Sequence, residues 1–242
     1  MRVKATISYN GAKFYGLQLQ KDKPTIASAL YKAFKAYNIN SSIDFSGRTD
    51  KGVHAFRQVI SFELDSSIWQ DRLDVLKSIL NKTLSSSIKI LSMQEAKECF
   101  HARYSAKKRV YRYLLTTKET SVFNDDFITY TKNLDYYAIK EAINEFIGSY
   151  DFEYFAKHNP QIKSTIRIIY NAKIYPYKDI YVIRFEANGF LHSQVRIMVG
   201  FLLAISDKRY SIEDLKNQLQ KKEKVFCKPA PSKGLYLAKV GY

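Results

Sequence analysis

Val3, Ala5, Ile7 and Tyr9 alternate with Arg2, Lys4, Thr6 and Ser8, the period of two expected of a strand with one face on a core. The chain therefore opens on a strand. After a loop over residues 11–24, Thr25 is placed to cap a helix whose Ile26, Ala29, Leu30, Ala33, Phe34 and Tyr37 share one face. Strand-like runs at residues 42–46 and 56–64 follow, then a helix carrying Leu73, Leu76, Ile79, Leu80 and Leu84, then a strand at 88–93. That order is β-α-β-β-α-β.

The order returns in the second half. A strand is predicted at 107–116 and a helix at 136–147, with Asp135 as N-cap, Leu134 and Ile139 as a hydrophobic staple and Gly148 at the left-handed C-cap position. Strands at 165–175 and 180–187 flank Pro176-Tyr177-Lys178-Asp179, a hairpin turn by composition. A helix at about 190–205 comes next, Ser211 with Asp214 opens another through a capping box, and residues 235–242 alternate as a closing strand. The expected fold class is α+β: two ferredoxin-like halves, 1–103 and 104–242, on a largely antiparallel and continuous sheet, with a central cleft. The duplication rests on element order, since the halves share no visible sequence repeat.

Charge changes this picture from a scaffold to a binder. Lys plus Arg number 39 against 23 Asp plus Glu, a formal net charge of +16 over 242 residues, so a polyanion is the expected partner. No apolar run reaches the roughly 18 residues of a membrane span and Met1-Arg2-Val3-Lys4 does not open a secretory leader, which points to a soluble, cytoplasmic protein. Cys99 and Cys227 are far apart and are expected to be reduced. The four histidines, His54, His101, His158 and His192, lack paired ligand spacing, so no metal is expected.

Three runs could carry chemistry. Ser46-Gly47-Arg48-Thr49-Asp50-Lys51-Gly52-Val53-His54-Ala55 places a guanidinium and a carboxylate two residues apart between glycines that permit unusual backbone angles and close ligand approach. From its residues it reads equally as an active-site loop or a polar turn with a surface ion pair. In the second run, from Phe100 to Tyr113, a strand would put Arg109, Tyr111 and Tyr113 on one face and Lys108, Val110 and Arg112 on the other. Tyr111 is then either a cleft residue or an ordinary core aromatic. In the third, Arg196 is the one strong base in an apolar helix, and it either snorkels to the surface or pairs with a buried acid.

These runs resemble the tRNA pseudouridine synthase A family. Its GRTDxGVHA motif matches residues 47–55, residues 100–113 resemble its FHARFSA…RxYxY segment, and ANxFLxxxVRxxxG matches 187–200. Asp151-Phe152 with Phe155 is similar to a DFxxF element, and Ala230-Pro231 with Gly234-Leu235-Tyr236-Leu237 is similar to the closing segment. The resemblance implies that Asp50 is the catalytic aspartate, that Tyr111 packs on the target base, that Arg196 forms an ion pair with Asp50, and that Arg48 helps hold out the flipped nucleotide. It implies a cofactor-free conversion of uridine to pseudouridine at positions 38, 39 and 40 of the tRNA anticodon stem-loop, by a homodimer gripping tRNA. Attack by Asp50 on the sugar C1′, attack on the base C6, and assistance of a glycal-like intermediate all remain open as its role.

An aspartate used as nucleophile or base must stay ionised in a desolvated cleft, and a guanidinium favours the charged form. Lys107, Lys108, Arg109 and Arg112, with Lys221, Lys222, Lys224 and Lys228, are candidate phosphate contacts. The chain departs from many relatives at Leu17, where they have Trp, and at Ser193-Gln194 and Ile197 in the third run. A non-catalytic RNA-binding module would explain charge and aromatics but not the Asp50 loop. A nuclease or methyltransferase lacks its histidine pair, metal-carboxylate cluster or glycine-rich cofactor loop here.

Overall fold

The computed structural model describes residues 1–160 and 162–242. Ten strands run in the order β1 (Arg2–Tyr9), β2 (Asp44–Phe45), β3 (His54–Glu63), β4 (Ile88–Glu95), β5 (Lys108–Thr116), β6 (Thr129–Tyr130), β7 (Gly148–Asp151), β8 (Ile166–Tyr177), β9 (Ile180–Ala187) and β10 (Leu235–Gly241). The α-helices are α1 (Ile26–Lys35), α2 (Ser66–Trp69), α3 (Leu73–Thr83), α4 (Tyr136–Ala142), α5 (Gln194–Ser206) and α6 (Ile212–Leu219). The fold is α+β and the chain forms two compact units, one of Met1–Lys107 with Tyr236–Tyr242 and one of Lys108–Leu235.

In the first unit β4, β1 and β3 are neighbours, with β2 on β3, all antiparallel, which is the strand order of a split β-α-β unit. β10 adds in parallel at the start of β3, with Tyr236 opposite His54. The alternation read in β1 is real: Val3, Ala5 and Ile7 are fully buried. Thr25 caps α1 through the Ser28 N–H, and Ser28 returns the bond, so the predicted start of α1 holds to the residue. Leu30 and Phe34 of α1 and Leu76 and Leu80 of α3 fill the core, with Phe34 edge-on to Phe62 at 4.8 Å.

In the second unit β5, β9, β8 and β7 lie side by side and antiparallel, and β6 pairs in parallel with the end of β5. Phe146, Phe152, Phe155, Phe185 and Phe201 are fully buried and share edge and stacked contacts. The predicted helix at 136–147 is α-helical only to Ala142 and finishes as a 3-10 turn at Ile143–Phe146. Gly148 has φ +128° and already belongs to β7, so it is not the left-handed cap expected.

Two more boundaries differ from the sequence reading. β8 runs on through Pro176 to Tyr177, leaving only Lys178 and Asp179 as the turn, with Lys178 at φ +53°. β8 pairs with β7 only over Ile166–Ile169, so at Pro176 the missing N–H faces an unpaired edge and costs no ladder bond. Helix α5 starts at Gln194 rather than near 190, because Ser193 adopts φ +59° and the buried Gln194 Oε1 accepts from Leu191 N–H at 2.8 Å. Gln194, a departure from the family pattern, thus makes the turn that begins the helix.

Candidate active site

Asp50 sits half-buried on the loop between β2 and β3, and the first unit holds that loop mainly through its backbone. Leu17 N–H donates to Thr49 O at 3.1 Å, Val53 N–H to Asp50 O at 3.1 Å, and Gln58 Nε2 to Gly47 O at 2.9 Å. Thr49 is buried and shares a hydrogen bond of 2.8 Å with the Tyr9 hydroxyl. Burial pushes the Tyr9 phenol up to about 12, so it remains a neutral hydrogen-bonding group. Ser46 and Gln58 close the other side with a buried hydrogen bond between their side chains.

Close main-chain approach makes this support possible. Gly16 has φ +91°, and a Cβ there would stand 2.9 Å from Thr49 O and 3.2 Å from Lys51 N. Gly11 packs still closer, with the Val53 carbonyl where its Cβ would be. Gly52 also has positive φ, +77°. Gly47 does not, and a Cβ there would meet nothing within 4 Å, which corrects the expectation that both loop glycines serve backbone freedom. His54 is buried, its Nδ1 accepting from Gly11 N–H at 3.1 Å and its ring stacked on Tyr236 at 4.6 Å. Arg48 and Lys51 are exposed beside Asp50, with Lys51 Nζ 4.2 Å from the centre of the Tyr15 ring.

The second unit positions the other proposed residues. Tyr111 on β5 is buried to 9% exposure and meets Phe190 edge-on at 5.2 Å. Arg196 is half-buried on α5, a helix otherwise buried on nearly every side, and is held by the segment before β10. Its Nε donates to Ala230 O at 2.8 Å while its own carbonyl accepts from Ala230 N–H at 2.8 Å. Gly200, one turn along, lets that segment in: a Cβ there would fall 2.3 Å from Lys228 O. Tyr113 is fully buried, donating to Pro231 O at 2.7 Å, and burial pushes its phenol up against the pull of the Thr129 hydroxyl and the Arg196 charge.

Strand alternation divides the four bases proposed around Tyr111. Arg109 shares the face of Tyr111, and its Nη1 donates to Asn188 O at 2.8 Å. Lys108 and Arg112 take the other face, where Lys108 Nζ lies 2.9 Å from Glu186 and Arg112 stands exposed opposite Arg184. Lys107 is exposed at the joint, its N–H bonded to Gly241 O at 2.8 Å within the first unit. Lys221 is engaged by Asp151 at 2.9 Å and Glu153 at 2.7 Å, whereas Lys222, Lys224 and Lys228 are exposed.

Comparison with known proteins decides what such a loop belongs to. The sequence profile of the tRNA pseudouridine synthase family matches residues 5–105 and 142–242. The chain belongs to this family. It is 40% identical over 240 residues to tRNA pseudouridine synthase A of Wolinella succinogenes, covering 98% of this chain and 93% of that one. Identity is 38% to the synthase of Helicobacter hepaticus and 37% to that of a Geobacillus species, in each case over at least 98% of both chains. This pseudouridine synthase is therefore an isomerase by family, and the Asp50 loop lies inside the first matched segment.

Reading the motifs alone overlooks the residues that support this synthase's loop. Gly16, Leu17 and Tyr9 lie 32 to 41 residues before Thr49 and Asp50 and carry no charge to attract notice. The Leu17 departure falls where a main-chain N–H makes the bond to Thr49, which any residue but proline can supply, and the Leu side chain is itself buried. Among the described residues no helix is long and apolar enough to cross a membrane, and no group of three or more His, Cys, Asp or Glu could hold a metal ion.

Proposed function

We propose that this enzyme converts uridine to pseudouridine in the anticodon stem-loop of tRNA, at positions 38, 39 and 40, with Asp50 as the essential carboxylate. Family membership and full-length relatives named for tRNA pseudouridine synthesis support tRNA pseudouridylation as the activity. One observation carries the assignment to Asp50: its loop is tied to the first unit by main-chain bonds and a close-packed glycine, leaving the carboxylate as the loop's only acid. A group that must meet one atom of a substrate needs such a support.

The reaction breaks the bond from uracil N1 to the ribose, turns the base, and joins C5 to the ribose. The C5 proton leaves and N1 gains one, so no atom is lost and no redox partner is needed. Asp50 serves the exchange at the sugar or the base, and Tyr111 holds the uracil by packing against its π face. Arg196 supports the Asp50 charge, and Arg48 contacts the backbone beside the extruded nucleotide. Flipping a base from a stem costs a few kcal/mol, which contacts to that base and to the bound backbone offset. The high net positive charge serves the second task. Action as a homodimer in the cytoplasm completes the proposal.

The test is release of tritium from tRNA carrying C5-labelled uridine, with modified positions mapped in the product. Asp50→Asn should abolish release while tRNA binding stays within about threefold, a change under 1 kcal/mol. Release by the variant at more than a hundredth of the wild-type rate would remove Asp50 from the chemistry. Modification confined to positions outside the anticodon stem-loop would overturn the substrate assignment.

A further inference from the structure

The sharpest unexplained feature of the second unit is a pair of guanidiniums beside Tyr111. Arg109 stands two residues from Tyr111 on the same face of β5, about 7 Å along the strand. Arg167 approaches from β8. Three consecutive residues just after β9, Asn188, Gly189 and Phe190, receive all three side chains. Arg109 Nη1 donates to Asn188 O at 2.8 Å, Arg167 Nε lies 3.7 Å from where a Cβ of Gly189 would stand, and Phe190 meets the Tyr111 ring.

Arg167 is the informative member. It is half-buried, and its side-chain hydrogen bonds run from Nη1 to two neutral carbonyls, Ser164 O at 2.9 Å and Ile166 O at 2.6 Å. No carboxylate of the described residues lies within ion-pair distance of it. Burial and the neighbouring Arg109 charge both work against its protonated form. A half-buried guanidinium such as that of Arg167, set near a like charge, is unfavourable alone, and an anion placed against it reverses the sign of the interaction. The Nε and Nη2 donors stay available for its oxygens, and Gly189, having no side chain, leaves the Nε edge uncovered.

We infer that Arg109 and Arg167 form a seat for one phosphodiester of the RNA backbone, next to the nucleotide whose base Tyr111 receives. The inference rests on the tRNA reading above and adds a specific contact to it. RNA is favoured over a carboxylate ligand because the seat adjoins the base-holding tyrosine in a chain of net charge +16.

Filter binding of unmodified tRNA transcript across a potassium chloride series tests it, with thermal melting of each variant alongside. Arg167→Gln should weaken binding about five- to twentyfold near 0.1 M salt and lower the log–log salt slope by about 0.7–0.9, the share of one phosphate. Arg167→Lys should keep the wild-type slope. Adding Arg109→Gln to Arg167→Gln should cost less than the product of the single losses, since both charges serve one phosphate. Melting of Arg167→Gln should match or exceed wild type, because a like-charge contact is relieved. An unchanged slope and affinity in Arg167→Gln overturns the seat. So does a variant that melts far below wild type with Arg167→Lys restoring melting but not the slope, which would make Arg167 a staple for the 164–166 backbone. If wild-type protein binds tRNA without a steep slope, the tRNA reading falls with it; if the wild-type slope is steep and Arg167→Gln leaves it unchanged, the seat alone falls.

Discussion

Gly16 cannot accept a side chain without moving the backbone that carries Asp50. Its φ of +91° is strained for any L side chain, and a Cβ would press to 2.9 Å from Thr49 O. Gly16→Ala should therefore destabilise the first unit by about 1–3 kcal/mol in a urea melt. It should also slow single-turnover pseudouridine formation more than it weakens tRNA binding. Gly47→Ala meets open space and normal φ, so its melt should stay within about 0.5 kcal/mol of wild type. A milder effect at position 16 than at 47 would refute this account of the loop. At this scale the sequence displays the charged residues proposed to meet substrate and conceals the residues that hold their loop. GRTD is legible because charge and glycine crowd into a few residues. The support of Thr49 is invisible there, being a hydroxyl contact from Tyr9, 40 residues away in sequence, and a close main-chain approach by Gly16.

Between elements, α5 and the strap that precedes β10 form one device. Gly200 admits the Lys228 carbonyl, and Arg196 then exchanges two bonds with Ala230 across the gap. Gly200→Ala should expel the strap at a cost of about 1–3 kcal/mol, the usual range for overpacking. Turnover should fall with it, since the strap holds the Arg196 guanidinium; measured stability within about 0.5 kcal/mol of wild type would show that the strap adapts. Periodicity reveals the strands and helices of this region, because Tyr111, Tyr113 and Leu115 are buried at alternate positions of β5 as the pattern demands. The start of α5 escapes it. Phe190 and Leu191 continue the apolar run, and the break comes from a single left-handed residue, Ser193, whose conformation no hydrophobic period encodes.

Across the whole chain, acid should unfold this protein well before alkali does. Among the described residues, seven carboxyls are held below their ordinary range. Hydrogen bonds from Ser67 act on Asp65 and from Ser211 on Asp214, and lysine partners act on Asp74, Asp125, Asp179 and Glu186. For Asp151 burial is the largest influence and pushes upward, yet bonds from Thr165, Lys221 and the Glu153 N–H together outweigh it. A carboxyl whose folded pKa is depressed contributes stability that is complete above its unfolded pKa, near 4, and is lost as pH falls through the lower folded value. Each proton taken up also adds to a net charge already at +16, so repulsion rises as the ion pairs vanish. Urea midpoints should be level from about pH 7 to pH 5 and fall steeply between about pH 4 and pH 3. Most of these pairs are exposed, so each contributes little at neutral pH, and repulsion dominates once they protonate. Added salt should accordingly raise the midpoint at pH 4, where it screens like charges, more than at pH 7. A midpoint unchanged down to pH 3, or lowered by salt at pH 4, would show that charge balance does not govern the stability of this fold.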